Sequence, residues 1–158
     1  MSGMADEEYF WEPVAGCWSL REGADGRWRL DGGGGGGPAP QPVPVTTIAW
    51  RIGHLAGLAV GGFADRLFGP GTLTADRIAF PNAVAAVPGF LTEQYRPWRH
   101  ALAELTEEAW VRPLGPSWGP YAESSVFDLA IHVFDEVVHH EGEIGLMRDL
   151  FAHRGERG

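Results

Sequence analysis

The chain has 158 residues, of which 44% are hydrophobic, and a formal net charge of −9 at pH 7. This length and composition predict one folded domain, residues 1–158, with a packed core, and exclude a compositionally disordered chain. The negative charge, without any visible basic patch, argues against a nucleic-acid-binding protein. The single cysteine, Cys17, excludes an internal disulfide and a cysteine-rich zinc site.

The sequence shows neither a signal peptide nor a membrane span. Its first residues are acidic and do not combine a basic segment with an apolar run. The most apolar stretch, residues 55–68, contains Asp65 and Arg66 and is too short and too charged to cross a bilayer. We therefore expect a soluble cytoplasmic protein with no membrane partner.

The first 30 residues predict short elements. Asp6–Trp11 can form one or two helical turns that end before Pro13. Cys17 has no neighbouring histidine or lysine to lower its pKa, so we interpret it as a packed small residue rather than a catalytic thiol. Arg21–Leu30 alternates arginines with apolar residues around an Ala-Asp-Gly turn, which predicts a hairpin.

A Gly/Pro-rich loop is predicted over residues 31–44. Six consecutive glycines, Gly32–Gly37, have little conformational preference, and the prolines after them stiffen the chain. We expect this loop to lie at the surface. A phosphate-binding loop is a poor interpretation, because no strand precedes the glycines and no Gly-Lys-Ser/Thr sequence ends them.

The first long helix is predicted to begin at Thr46 or Thr47, either of which can cap it, and to end near Phe68. Apolar residues cover more than half of its circumference, so it should be largely buried. Its four glycines between residues 53 and 62 lower its stability but allow another helix to approach closely. His54 lies within it, and a single histidine in such a helix is ordinarily a hydrogen-bonded core residue.

A second long helix is predicted over residues 84–105, where apolar residues recur at intervals of three and four. Pro97 lies inside it and should kink it. Residues 106–110 can add one turn, and residues 112–124 should form a loop. Ser125 and Asp128 then form a capping box that begins the last helix, Asp128–Phe151.

A helical wheel of the last helix separates its histidines. At about 100° per residue, His140 lies about 20° from Val133, in the middle of an apolar stripe, and Glu136 lies at its edge. His132 and His139 fall beyond about 100°, on the polar side. The apolar stripe also contains Val126, Val137, Ile144 and Phe151.

Glu136 and His140 are one helical turn apart, a spacing at which two side chains can bind one metal ion from the same face. An unpaired buried carboxylate costs several kcal/mol, a cost that a divalent cation would remove. Our working hypothesis is that His54 joins this pair around a divalent metal. The alternative is a Glu136–His140 pair, or hydrogen bonds to aromatic residues, in a polar pocket of a bundle without metal.

Several segments together resemble the DinB-like superfamily. They are Trp50–Leu55 (WRIGHL), GPGTLT after that helix, EVVHHEGEIGLMRDLF in the last helix, and the opening EEYFWEP and GCWSLR. The likeness spans nearly the whole chain, in the right order, and is strongest to actinobacterial members.

The resemblance implies an all-α fold, a four-helix up-down-down-up bundle. It also implies that His54, Glu136 and His140 bind a divalent metal. Most members use His-x-x-x-His on the last helix, whereas the carboxylate at Glu136 is similar to the mycothiol-dependent maleylpyruvate isomerases. Zinc is the expected ion, although nickel, iron and manganese fit the same donors. The expected partners are then a small-molecule thiol of the mycothiol type and an electrophilic substrate. No catalytic residue is identified, because His139, the only nearby candidate, points away on the wheel.

In one respect the sequence departs from this family. Members begin with a helix of about 20–25 residues, and this chain starts after the position of most of that helix, which leaves three long helices and one uncovered side. Either a partner subunit, as in a homodimer, covers that side, or the start of the chain is mispredicted, or the protein is unstable. The alternative to an enzyme is therefore a non-catalytic metal-binding or stress-related bundle that acts through dimerisation or a protein partner.

Overall fold

A computed structural model describes residues 3–35 and 40–155. The chain is mostly helical and contains one small antiparallel hairpin. In chain order the elements are α1 (Asp6–Tyr9), β1 (Leu20–Glu22), β2 (Trp28–Leu30), α2 (Ile48–Ile52), a π-helical segment (Gly53–Gly61), α3 (Gly62–Phe68), α4 (Val87–Ala103), α5 (Glu107–Trp110) and α6 (Val126–Ala152). Short 3₁₀ turns cover Ala75–Arg77 and Val84–Ala86, and irregular turns with positive-φ glycines cover Asp31–Gly35 and Pro116–Tyr121.

The elements α2, the π-helical segment and α3 form one continuous helix, which we call the His54 helix. Thr47 caps it by accepting a hydrogen bond from the backbone N–H of Trp50, and it ends at Phe68, as predicted. The π-helical winding over Gly53–Gly61 was not predicted. Because π-helical turns are rare and concentrate at functional sites, the position of His54 within one supports its choice as a candidate site residue.

Glycines let the His54 helix approach α4 closely. A Cβ atom at Gly57 would lie 3.2 Å from the ring of Phe90, and one at Gly61 would lie 2.3 Å from the side chain of Gln94. A side chain at Gly57 would crowd the ring of Phe90, and one at Gly61 would displace the end of the Gln94 side chain. The close approach predicted from the glycines is therefore confirmed.

The helices α4 and α6 lie close to their predicted positions. A 3₁₀ turn over Val84–Ala86 leads into α4, which is slightly shorter at its end than predicted. Thr106 caps the single helical turn α5. Ser125 and Asp128 form the predicted capping box at the start of α6. The segment predicted as a loop before it contains an irregular turn, Pro116–Tyr121.

The core has two parts along the His54 helix. The first gathers residues from the N-terminal segment, α2, the start of α4 and the end of α6, and it includes Tyr9, Leu20, Ile48, Phe90 and Met147. The second lies around α3 and the start of α6, and it includes Val60, Trp98, Trp118, Leu129 and Val133. Both parts bury one face of α6 against the His54 helix, which places Glu136 and His140 beside His54.

The N-terminal segment packs onto this core. The predicted hairpin is present, with Leu20 paired to Leu30. Cys17 is buried and its thiol lies 3.0 Å from the carbonyl oxygen of Val14, in agreement with a packing role. Arg148 of α6 pairs with the buried Glu8 of α1 at 2.8 Å, which ties the first turn of the chain to the last helix.

The loop at the glycines lies at the surface in most of its described part, where Gly32 and Gly33 are exposed, but Gly34 departs from the expected surface position. Gly34 is buried against the His54 helix with a φ of +76°, where a Cβ atom would lie 1.9 Å from Leu58. Only glycine suits both that backbone conformation and that space. The loop thus reaches the core, whereas residues 36–39 lie outside the described residues.

Three helical stretches longer than ten residues pack together within residues 3–35 and 40–155, namely the His54 helix, α4 and α6. Their number agrees with the three long helices predicted from the sequence, and they do not by themselves establish the four-helix up-down-down-up arrangement. No helix in the described part of the chain is long and apolar enough to cross a membrane.

Candidate metal centre

Three side chains from two helices converge at one point. The Nε2 atom of His54 lies 3.6 Å from Oε2 of Glu136, and Nε2 of His140 lies 3.4 Å from the same oxygen. One potential ligand atom from each residue lies within 4.8 Å of the other two. The structure therefore brings together all three residues predicted as ligands.

The ring of His54 is held on two sides. Its Nδ1 atom is 2.7 Å from the carbonyl oxygen of Gly34, and its ring stacks on Trp50 at a centroid distance of 4.9 Å. Trp50 is itself fixed, because its Nε1–H donates to the carbonyl of Asp31. Since a carbonyl oxygen can only accept, Nδ1 of His54 carries the hydrogen. In the neutral ring, the lone pair then lies on Nε2.

The ring of His140 is held by a buried charge network. Its Nδ1 is 2.7 Å from Oε2 of Glu143, and that oxygen also accepts a 2.8 Å hydrogen bond from Nε of Arg51. Arg51 is buried and donates in addition to the carbonyl of Thr46. His140 itself is only 8% exposed, as its central position on the predicted apolar stripe requires.

The pKa shifts around His140 have identifiable causes. Burial by itself raises the pKa of Glu143, but hydrogen bonds from Arg51 and His140 outweigh it, so this pKa is lower than usual. Burial lowers the pKa of His140, and this effect exceeds the opposing one of the Glu143 hydrogen bond. An ionised Glu143 beside a neutral His140 again places the hydrogen on Nδ1 and the lone pair on Nε2.

The donor set fits a divalent metal. Because the Nδ1 atoms of both histidines are engaged elsewhere, two Nε2 atoms and a carboxylate oxygen face one another, an arrangement that a cation stabilises. Two ligands of a tetrahedral zinc ion, each bound at about 2.0–2.2 Å, lie about 3.3–3.6 Å apart. The separations of Glu136 from His54 and His140 match this range. Hydrogen bonds from Nδ1 of a metal-binding histidine to a carboxylate or a carbonyl are the usual outer support of such sites.

A second group, His139, His140 and Glu143, also brings potential ligand atoms within 4.8 Å. It is less suited to a cation, because the guanidinium of Arg51 already contacts the carboxylate of Glu143. The 2.7 Å distance between Nδ1 of His140 and Oε2 of Glu143 is that of a hydrogen bond, not that of two ligands of one metal ion. His139 is exposed, as the wheel predicted.

Sequence reasoning missed Glu143 and Arg51. Glu143 lies one turn beyond His140, and Arg51 lies one turn before His54, so helical spacing was the available signal. Their importance depends on a contact between residues 92 positions apart, which spacing alone does not reveal.

The face of α6 that bears the candidate ligands extends toward a pocket. His132, Glu136 and His140 follow at intervals of four residues, and the ring of His132, which is exposed as predicted, lies 6.0 Å from that of Phe63. Beside His132 is a pocket of about 400 Å³, lined among others by Trp118 and Leu129. Space for a small apolar or aromatic group therefore lies about one helical turn from Glu136.

The fold and site define a helical protein with a candidate centre of two histidines and one carboxylate. The family model of the DinB superfamily matches residues 1–144, which include all three candidate ligands. The chain therefore belongs to the DinB superfamily, whose members generally bind metals, and the resemblance inferred from the sequence is confirmed. No curated protein and no solved structure matches the chain.

Proposed function

We propose that the chain binds one divalent metal ion through His54, Glu136 and His140. We propose further that it uses this ion to activate a small-molecule thiol of the mycothiol type for S-transfer to an electrophile or for isomerisation. Zinc suits the donor set best, and nickel, iron and manganese suit it as well.

One observation carries this proposal. The Nε2 atoms of His54 and His140 both face Glu136, while their Nδ1 atoms are occupied by Gly34 and Glu143. Three protein ligands leave room for a thiol or water at the metal, as in catalytic zinc sites. When bound, such an ion lowers the pKa of a coordinated thiol and stabilises the thiolate.

The residues around the three proposed ligands would have different roles. Glu143, itself held by Arg51, would keep the ring of His140 oriented, and the carbonyl of Gly34 would do the same for His54. The pocket beside His132 would receive the apolar part of the electrophile. None of the described neighbours of the three ligands is placed as a general base, because Glu143 is occupied by Arg51 and His140, and His139 points to the surface.

The test combines metal content with activity. The purified chain is stripped with a chelator, reloaded with zinc, and assayed with a panel of small thiols and a chromogenic electrophile. We expect conjugation that requires the metal, disappears in His140→Ala and remains in His139→Ala. Metal-loaded protein that binds zinc but accelerates no thiol reaction would contradict the catalytic part.

A second candidate function is a non-catalytic metal-binding protein that acts through a protein partner. The exposed apolar face of α6 favours this reading, as does the lack of a positioned general base among the described residues. Retention of zinc without any thiol activity, together with stable association, would support this function over the enzyme.

A further inference from the structure

The pocket beside His132, which we call the His132 pocket, has an apolar interior and a polar rim. Its volume of about 400 Å³ lies toward the lower end of the range for small-ligand pockets, about 300–1,000 Å³. The interior is formed by buried and half-buried side chains, those of Phe63, Leu114, Trp118 and Leu129. A pocket of this size and lining suits a compact apolar group such as one or two rings.

Three aromatic rings meet at the His132 pocket. The ring centroid of Phe63 lies 5.9 Å from that of Trp118 and 6.0 Å from that of His132, and both pairs are tilted. Aromatic rings attract one another in tilted and edge-to-face arrangements at centroid distances of about 4.5–7 Å. A flat ring bound between these side chains would make contacts of the same kind. The lining therefore favours an aromatic ligand over an aliphatic one of equal size.

Arg66 places a positive charge at the rim. Its guanidinium lies over the ring of Trp118, 4.2 Å from the ring centroid, and donates a hydrogen bond to the carbonyl of Ser117. Within residues 3–35 and 40–155, it makes no ion pair and no other hydrogen bond. Four of its five N–H groups therefore remain for a ligand. A planar cation that is fixed in this way suits two-point recognition of a carboxylate.

The acid of the rim, Asp128, already has partners. Its Oδ2 atom accepts hydrogen bonds from the backbone N–H and the hydroxyl of Ser125, at 2.7 and 2.8 Å. These bonds lower the pKa of Asp128, because they stabilise its charged form, and they belong to the cap of α6. A cationic ligand would compete with this cap. An anionic ligand would instead meet a guanidinium that lacks a carboxylate partner among the described residues.

We propose that the His132 pocket binds an aromatic carboxylate, with its ring between Phe63 and Trp118 and its carboxylate paired with Arg66. Arg66 lies about three helical turns beyond His54, so the carboxylate would occupy the end of the pocket that is remote from the candidate metal centre. The opposite end of the ligand would face His132, one turn from Glu136.

The role of this ligand rests on the proposed function, whereas its binding does not depend on metal. If the chain transfers a thiol, the electrophile would be an aromatic carboxylate that reacts at the end opposite its acid group. The inference thus names the class of the second substrate. The same pocket would bind such a carboxylate in the chain from which zinc has been removed.

The test is a titration of the zinc-free chain with cinnamate, followed by NMR of the indole N–H signals of the tryptophans. Cinnamamide, which has the same shape but no charge, is the control ligand. We expect cinnamate to shift the signal of Trp118, which Trp118→Phe assigns, and to bind at least about tenfold more tightly than cinnamamide. Equal affinities, an unchanged Trp118 signal, or no binding would overturn the proposal.

Variants of Arg66 test the carboxylate contact. Arg66→Gln should weaken cinnamate binding at least about tenfold and leave cinnamamide binding unchanged, which shows that the pocket is still formed. Arg66→Lys keeps the charge without the planar fork and should bind cinnamate with intermediate affinity. Arg96→Gln is the matched control, because Arg96 is also exposed but lies in the separate groove between α4 and α6.

Two results with these variants would contradict the assigned contact. Cinnamate affinity that Arg66→Gln leaves unchanged, or that Arg96→Gln abolishes, would place the ligand outside the His132 pocket. Equal losses of cinnamate and cinnamamide in Arg66→Gln would mean that the guanidinium only supports the pocket.

The outcome can be separated from that of the proposed function, because binding is measured without zinc. Thiol activity of the zinc-loaded chain without cinnamate binding would refute the pocket ligand alone. Cinnamate binding to a chain that retains no zinc would refute the metal centre and leave the pocket ligand intact.

Discussion

Each face of α6 carries residues that are unusual for that face of a surface helix. Its inner face carries His140 and Glu143, buried and half-buried, and each has a partner within 3.0 Å. Its outer face carries four exposed apolar residues, which we call the outer stripe, namely Phe127, Ile131, Phe134 and Val138. Elsewhere in folded proteins, polar groups face water and large apolar stripes face the core.

The polar residues of the inner face and the exposed apolar residues of the outer face each need a physical explanation. On the inner face, hydrogen bonds hold the Nδ1 atoms of His140 and of the neighbouring His54. The Nε2 atoms of these two residues face Glu136 and suit a cation. Apolar groups on the outer face are mostly exposed, and the ring of Phe127 lies 6.2 Å from that of Trp110. The inner face therefore supports the proposed metal centre, and the outer face supports the proposal of a protein partner.

Removal of a proposed metal ligand on the inner face should have the largest effect of all, a loss of zinc affinity. Glu136→Ala or His140→Ala should weaken zinc binding by more than about 100-fold, which exceeds the usual cost of losing a supporting residue. Titration calorimetry of the chelator-treated chain measures this affinity.

His139→Ala is the matched control, because His139 is adjacent to His140 but exposed. It should bind zinc with unchanged affinity. Equal losses in His139→Ala and His140→Ala would place the ion at the second group, around Glu143, and would contradict the proposed ligands.

Loss of the outer support should have an intermediate effect. Glu143→Gln keeps the shape of the side chain but removes the charge that faces Arg51 and His140, so zinc affinity should fall about 10–100-fold. The same calorimetric titration measures it. Glu141→Gln, on the exposed side of the same helix turn, should leave affinity unchanged, and an equal loss in both variants would indicate a general charge effect instead.

Substitutions at two adjacent residues show how much each face of α6 contributes to the free energy of unfolding. Val133 is 3% exposed and Phe134 lies on the outer stripe. Val133→Ala should lower the free energy of unfolding by about 2 kcal/mol, through lost apolar burial and a small cavity. Phe134→Ala should change it by less than about 0.5 kcal/mol. Denaturant unfolding at a concentration where the chain is monomeric measures both, and a larger loss for Phe134→Ala would mean that this residue is packed.

The smallest expected effect concerns pH. Because burial lowers the pKa of His140, the unfolded chain binds a proton at this residue more readily than the metal-free folded chain. Its contribution to stability is therefore present above the ordinary histidine pKa and is lost as the pH falls toward the folded value. Glu143→Gln removes a group that favours the charged ring, so it should lower the pKa of His140 further. NMR titration of the ring checks this, and an increase would contradict the assigned causes.

The limits of the long helices were predictable because their signals are local. Thr47 and Ser125 cap the His54 helix and α6 with their own side chains, and the wheel placed His140 on the buried face. The family likeness strengthened the hypothesis that His54 joins the pair on α6.

Other features depend on contacts distant in sequence. Gly34 resembles its neighbouring glycines, and only its approach to Leu58 and His54 distinguishes it. Among the many acidic residues of the sequence, Glu143 is distinguished only by its contact with Arg51. The π-helical winding around His54 has no local sequence signal, since ordinary helix formers and glycines alternate there.

The most direct test of the metal centre is X-ray absorption at the zinc edge of the zinc-loaded chain. We expect one ion per chain with two imidazole ligands at about 2.0–2.1 Å and oxygen donors in the remaining positions. In His140→Ala that has been loaded at excess zinc, the signal of one imidazole should disappear. A spectrum with a single imidazole in the unmodified chain, or one that His140→Ala leaves unchanged, would contradict the assignment of His54, Glu136 and His140.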